Sequence, residues 1–167
     1  MNTTTKAMNV IPEANDVKTG VKNISEITKG LSVALADTYR LVFKTHAYHW
    51  NVEGPMFFSI HHLTEEQYQD MFEAADVIAE RIRALGQLTP MRLDDIIAAS
   101  CVKDPTDAPS AQHMVDDLAQ DHAAVAKRLH GLIKTADEGN DPVTADLITA
   151  RSSFHETAAW MLRATAK

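Results

Sequence analysis

Apolar residues recur every three or four positions along four long stretches of this chain, and nowhere do they alternate with the period of a strand. The first stretch carries Ile24, Ile27, Leu31, Leu35, Thr38, Leu41 or Val42, Thr45 and His49, which predicts a helix from position 23 or 25 to about 52. Gly54-Pro55 then stops it and turns the chain. A second helix is expected over 57–85, with Ile60, Leu63, Gln67, Met71, Ala75, Ile78, Ile82 and Leu85 as its core stripe and Gly86 as its end. The third runs from about 110 to 136 through Met114, Leu118, Val125, Leu129 and Leu132. Asp141-Pro142 offers an N-cap and a proline at the first helical position for the fourth. That helix continues to about 164 through Leu147, Ile148, Phe154, Trp160 and Met161.

The second and third helices are joined by a long connection over 89–109, punctuated by Pro90, Pro105 and Pro109, in which LDDIIAAS can form a short helix. Four long helices with one long crossover indicate an all-α, ferritin-like four-helix bundle with a short extra helix between helices two and three. The 167 residues suffice for one well-buried domain over 21–167, preceded by a flexible N-terminal tail over 1–20 that Pro12 and Gly20 interrupt. A net charge of −7 excludes a domain whose whole surface binds nucleic acid. In the tail, Lys6 and Lys18 are offset by Glu13 and Asp16, so DNA binding is expected to be weak or absent. The single Cys101 excludes an internal disulfide framework and reads as an inert, small apolar residue. With no apolar run of membrane-spanning length and a polar first segment, no membrane partner or secretory leader is expected, and the location expected is cytoplasmic.

Residues 46–80 concentrate the chemistry. They hold four of the eight histidines and a block of carboxylates. His49 ends the first helix. His61 and Glu65 lie one turn apart at the start of the second, and Asp76 and Glu80 lie one turn apart further along it, so each pair shares a face. Imidazole with carboxylate suits iron, manganese or zinc. Yet fifteen residues separate His61 from Asp76, about 22 Å of helix, while metal–ligand bonds are about 2 Å. One straight helix cannot bring both pairs to one ion. Either there are two separate sites, or a second copy of the helix lies antiparallel and a two-fold dimer makes two identical shared sites. A solvated acidic face with two core histidines is the alternative without metal. The Glu-x-x-His pattern of a di-iron site inside one bundle is missing, since no histidine follows a glutamate by three positions.

The string HWNVEGPMFFSIHHLTEEQY followed by DVIAERIRALG, with the DPVTADLITARSSFHETAAWMLRATA ending, closely resembles the Dps family, the DNA-binding proteins from starved cells or mini-ferritins. The resemblance spans most of the chain. It implies a hollow homo-dodecamer built from two-fold dimers, with two-metal ferroxidase sites at the dimer interface. There His49, His61 and Glu65 of one subunit would meet Asp76 and Glu80 of the other. The family often has aspartate where Glu65 stands. The resemblance also implies Fe(II) and hydrogen peroxide as substrates and storage of Fe(III) mineral, which protects DNA from oxidative damage; zinc or manganese could substitute for iron. The other function considered is a nucleoid protein that compacts DNA, with ferroxidase activity secondary. Trp50, beside His49, could quench one-electron oxidants or simply pack at an interface. His46, one turn before His49, is a further ligand or an interface histidine. Asp137, Glu138, Asp141 and Asp146 could line an acidic ion pore about a three-fold axis, or cap helices and keep the surface soluble. Glu66 and Glu73 could nucleate mineral inside the shell.

Overall fold

A computed structural model of the chain describes residues 8–167. Lys6 of the tail lies outside the described residues. Five helices follow in order: α1 (Ile24–Asn51), α2 (Phe57–Ala84), α3 (Leu93–Ala99), α4 (Ala111–Glu138) and α5 (Pro142–Thr165). There is no strand among the described residues. No helix among them is long and apolar enough to cross a membrane.

Side-chain pairs give the register. His61 stacks on His49, so α2 runs back along α1. Lys44 reaches Asp121, Tyr48 reaches Asp117, and Asp37 reaches Arg128, so α4 is antiparallel to α1. Arg151 meets Asp70, and Arg81 meets Asp141, so α5 is antiparallel to α2. The long 85–110 connection crosses the bundle to make this possible. It is pinned from beneath by Asp37, whose Oδ1 accepts hydrogen bonds from Ser100 Oγ (2.9 Å), the Cys101 N–H (2.7 Å) and Arg128 (3.0 Å). Arg128 also donates to the Ala99 carbonyl. Burial pushes the Cys101 thiol up, which keeps it protonated and unreactive.

The apolar stripes pack as their spacing requires. Ile27, Leu31, Leu35 and Leu41 of α1 meet Met71, Ile78 and Ile82 of α2, and Leu118, Val125 and Leu129 of α4 close the core with Ile148 and Leu162. The fourth long helix departs from the expected stripe. Trp160 and Met161 are exposed (63% and 39%), while Ser152, His155, Ala159 and Leu162 face inward. These follow Ile148 at intervals of three and four. Small and polar residues occupy the inner face, so apolarity alone points to the wrong side.

The turns follow from local chemistry. Gly86 sits at φ +78°, and a Cβ there would strike the Asn15 carbonyl, which is held close because the Asn15 N–H donates to Gly86 O (2.8 Å). Residues 10–20 otherwise form no helix or strand. Asp141 caps α5 as expected: its carboxylate accepts from the Thr144 N–H (3.0 Å) and from Thr144 Oγ1. The same carboxylate, with no exposed side-chain surface, pairs with Arg81 at 2.6 Å.

This buried pair yields a stability prediction. Burial alone would raise the Asp141 carboxyl, but the hydrogen bonds from Arg81 and Thr144 outweigh it and hold the group below its ordinary value. The unfolded chain, with a carboxyl near 3.9, therefore takes up its proton at higher pH than the folded one. The stabilisation is complete above about pH 4 and lost as pH falls through the folded value. Asp141→Asn is expected to cost about 3–5 kcal/mol at neutral pH, because Arg81 is left buried without its anion. In urea unfolding the gap from wild type should shrink below about pH 4.

Candidate metal centre

The centre begins at the turn between α1 and α2. Gly54, at φ +107°, reverses the chain so that the last turn of α1 faces the first turns of α2. This brings the ring of His49 flat against the ring of His61, with centroids 3.7 Å apart and planes 18° from parallel. Each ring is then fastened by the other's backbone. His49 Nδ1 lies 2.8 Å from the His61 carbonyl, and His61 Nδ1 lies 2.9 Å from the His49 carbonyl. A carbonyl only accepts, so both Nδ1 atoms carry hydrogen. Both Nε2 atoms are therefore left with a lone pair in the neutral rings. Backbone carbonyls that orient imidazoles in this way make good metal ligands of the opposite nitrogen. Thr64 completes the support. Its hydroxyl donates to Ile60 O (2.7 Å) and sits 3.4 Å from His49 Nδ1.

Tyr48, beside His49, anchors this end of α1 to α4 by donating to Asp117 at 2.6 Å. Burial, and then Asp117, push its phenol above the usual range. Asp117 and Asp121 both lie 2.6 Å from Lys44, whose side chain is nearly fully buried. Sequence reasoning missed this cluster. Its signal was two i,i+4 pairs, Lys44/Tyr48 and Asp117/Asp121, at matching heights on antiparallel helices.

The remaining expected ligands are arranged differently. Glu65 is half-buried, and its carboxylate lies 3.6 Å from His62 Nδ1 rather than on His61. Asp76 and Glu80 are exposed on α2 and make no hydrogen bond or ion pair among the described residues. Among the described residues no three histidine, cysteine or carboxylate side chains of one chain converge on a common point. His49 and His61 are the part that the single chain brings together, about 22 Å along α2 from Asp76.

An aromatic column stands beside the pair. The His46 ring lies 4.1 Å from Tyr68, 21° from parallel, and 3.9 Å from Trp50, and its centroid is 5.9 Å from His49. Burial, and then His49, lower His46. It is therefore neutral at physiological pH and can offer a lone pair. Trp50 is 60% exposed and Phe72, on the same flank of α2 as Asp76, is 61% exposed. Tyr39 and Phe43 extend the uncovered apolar surface along α1.

At the far end of the bundle, Asp137, Glu138 and Asp146 are exposed around the α4–α5 turn. Asp141 is not. Its oxygens are taken by Arg81 and Thr144, so the expectation that it lines a pore is corrected to a buried helix cap. Glu66 and Glu73 are exposed on α2, and Glu66 borders a groove with Asp70, Phe154 and Met161.

Comparison with known proteins matches residues 28–167 to the ferritin-like domain family. The chain is 42% identical to a low temperature-induced protein of Nostoc, over 80% of this chain and 75% of that one. It is 31% identical to the DNA protection during starvation protein of Brevibacillus brevis, over 89% and 98% of the two chains. Its fold is similar to that of the Dps protein of Vibrio cholerae O1, described as a ferritin-like diiron-carboxylate protein. The TM-score is 0.82 at 25% identity, over 95% and 99% of the two chains.

Fastening of each ring by a backbone carbonyl has a measurable consequence. In calorimetric titration with Zn(II), His49→Ala and His61→Ala should each weaken binding about tenfold or more. Because each ring is held by a backbone carbonyl that alanine retains, either single variant leaves the remaining imidazole fastened, and the double variant should lose about the product of the two single factors. A double variant that loses no more than the larger single loss would mean that the backbone contacts do not hold each ring on its own.

Proposed function

Since the chain belongs to the Dps family of ferritin-like proteins, we propose that it oxidises Fe(II) at sites shared between two subunits and keeps the product as ferric mineral in a hollow dodecamer. The observation that carries this reading is the His49–His61 pair, with both Nε2 atoms free and the carboxylates Asp76 and Glu80 out of reach on the same helix. A second α2, antiparallel about a two-fold axis, would bring Asp76 and Glu80 of one subunit to His49, His61 and Glu65 of the other, and the symmetry would repeat the site. The exposed Trp50 and Phe72 lie on the flank such a partner would cover, and burying them supplies the driving force for pairing.

The chemistry follows from the side chains. Neutral imidazole and carboxylate hold Fe(II) while leaving positions for an oxidant, and the carboxylates offset the extra charge of Fe(III). With hydrogen peroxide as oxidant, two Fe(II) ions each give up one electron. The O–O bond breaks, two protons are taken up and two waters form. No one-electron oxygen radical need leave the site. Zinc or manganese, with overlapping ligand preferences, would compete for the same groups. Trp50, in contact with His46 and on the same flank, would either intercept one-electron oxidants that escape or pack at the interface. His46 is an accessory ligand or packs at the interface.

Asp137, Glu138 and Asp146 would line an acidic entry for cations where three subunits meet. Glu66 and Glu73 would offer carboxylates to the growing mineral. Compaction of DNA is the weaker reading. The net charge is −7, and the tail lysine Lys18 stands among Glu13 and Asp16.

Stopped-flow absorbance tests the activity. Fe(II) with peroxide should be oxidised faster than Fe(II) with oxygen. His61→Ala and Asp76→Ala should each slow the peroxide reaction about tenfold or more, in particles that light scattering still reports at about twelve subunits. Full oxidation rates in both variants would remove the proposed site, and a monodisperse monomer with wild-type rates would remove the shell.

A further inference from the structure

Midway along α4 and α5, away from the candidate centre, two histidines face each other in the buried interior. His122 is 0% and His155 is 1% exposed. Their Nδ1 atoms are 2.9 Å apart, with ring centroids at 5.1 Å and planes 45° apart. One nitrogen must donate and the other accept. The contact is satisfied with both rings neutral, and it is broken when both are protonated, because two N–H groups then point at each other.

The surroundings offer no anion for a proton. The register set by Lys44–Asp121 and by Arg151–Asp70 puts Thr45 of α1 and Gln67 of α2 at this level, both buried and uncharged. The charged group acting on the pair from α5 is Arg151, a cation lying 4.4 Å over the Phe154 ring and 2.7 Å from Asp70 of α2. On α4 the neighbouring carboxylate, Asp121, is engaged by Lys44 of α1. Elsewhere in the bundle each deeply buried carboxylate has its arginine, as Asp37 has Arg128 and Asp141 has Arg81. A protonated His122 or His155 would have no such counterion.

We propose that the His122–His155 pair is an acid-sensitive latch: neutral, it closes α4 onto α5, and protonated, it opens that half of the bundle while the α1–α2 hairpin stays folded. The direction is fixed by linkage. Burial, and then Arg151, lower His122 to about 3; burial, then His122 and Arg151, hold His155 well below its ordinary value. In the open chain each returns toward about 6.5. The open state therefore binds protons more tightly. Closure is fully favoured above about pH 6.5 and weakens as pH falls toward the folded values, by up to tenfold per pH unit for each histidine. The latch stands independently of the proposed ferroxidase reaction.

Hydrogen exchange read by mass spectrometry on the assembled protein, corrected for the intrinsic pH dependence of exchange, tests this. Between pH 6 and pH 4.5, amides flanking His122 and His155 should lose more than about a hundredfold in protection. Those around His49 and His61 should hold theirs. His122→Gln with His155→Gln keeps hydrogen-bonding groups but cannot titrate, and should reduce the loss to less than about threefold. If that chain does not fold at pH 7, His155→Gln alone should cap the loss at about thirtyfold, one proton's share. Wild-type protection that persists to pH 4.5 would overturn the proposal. So would a loss spread equally over α1 and α2, or a variant that keeps the full wild-type dependence.

Discussion

Two hydrogen bonds that cross between His49 and His61 organise this molecule. Each imidazole is held by the carbonyl of the other residue, so the C-terminal end of α1 and the N-terminal end of α2 form one rigid corner. That corner needs a sharp reversal, which Gly54 supplies with a positive φ. It also needs α1 fixed against the rest of the bundle, which Tyr48 and Lys44 do through Asp117 and Asp121. Rings so constrained lose little freedom when an ion binds, and preorganisation of this kind is what makes a short ligand list effective. The constraint has a second side. α2 leaves this corner as one straight helix, and its rise carries Asp76 and Glu80 too far to return. On the proposed reading, the second chain supplies the carboxylates that this corner lacks.

Buried charge is the other theme of the fold. Asp37, Lys44 and Asp141 lie in the interior, Asp121 is partly buried beside Lys44, and each has a partner of opposite sign. These pairs tie elements that apolar contact alone leaves free to slide: the crossover to α1 and α4, α1 to α4, and α2 to the start of α5. Unpaired, each would cost more than its hydrogen bonds return. The His122–His155 contact differs in kind, since it is stable because it is uncharged.

Much of the architecture could be read in the sequence. The helical period and the breakers Gly54-Pro55, Gly86 and Asp141-Pro142 put helix ends within about two residues of those observed. α5 resisted because Ser152, His155 and Ala159 form its inner face while Trp160 stays outside. The interior ion pairs were also hidden, since a charged residue in a helix reads as solvent-facing until its partner on another helix is known. Asp141 shows both outcomes at once: Asp-Pro announced the cap, but nothing local announced Arg81, sixty positions earlier and against the same oxygens. At the candidate centre, the pairing of His49 with His61 was legible only through the family resemblance. Their crossed carbonyl contacts were not legible, because they depend on the angle at which the turn returns the chain.

The claim that matters most is that one site is built from two chains, and subunit mixing tests it most directly. One variant lacks the histidines (His49→Ala with His61→Ala), and the other lacks the distal carboxylates (Asp76→Ala with Glu80→Ala). Each is dissociated, mixed with the other and reassembled, and rapid Fe(II) oxidation is measured. In a mixed dimer one of the two sites receives both defects and the other receives neither. Random pairing makes about half the dimers mixed, so roughly a quarter of all sites should recover, as two-fold symmetry requires. Particles shown by mass to contain mixed dimers, yet with no recovered oxidation, would contradict the shared site.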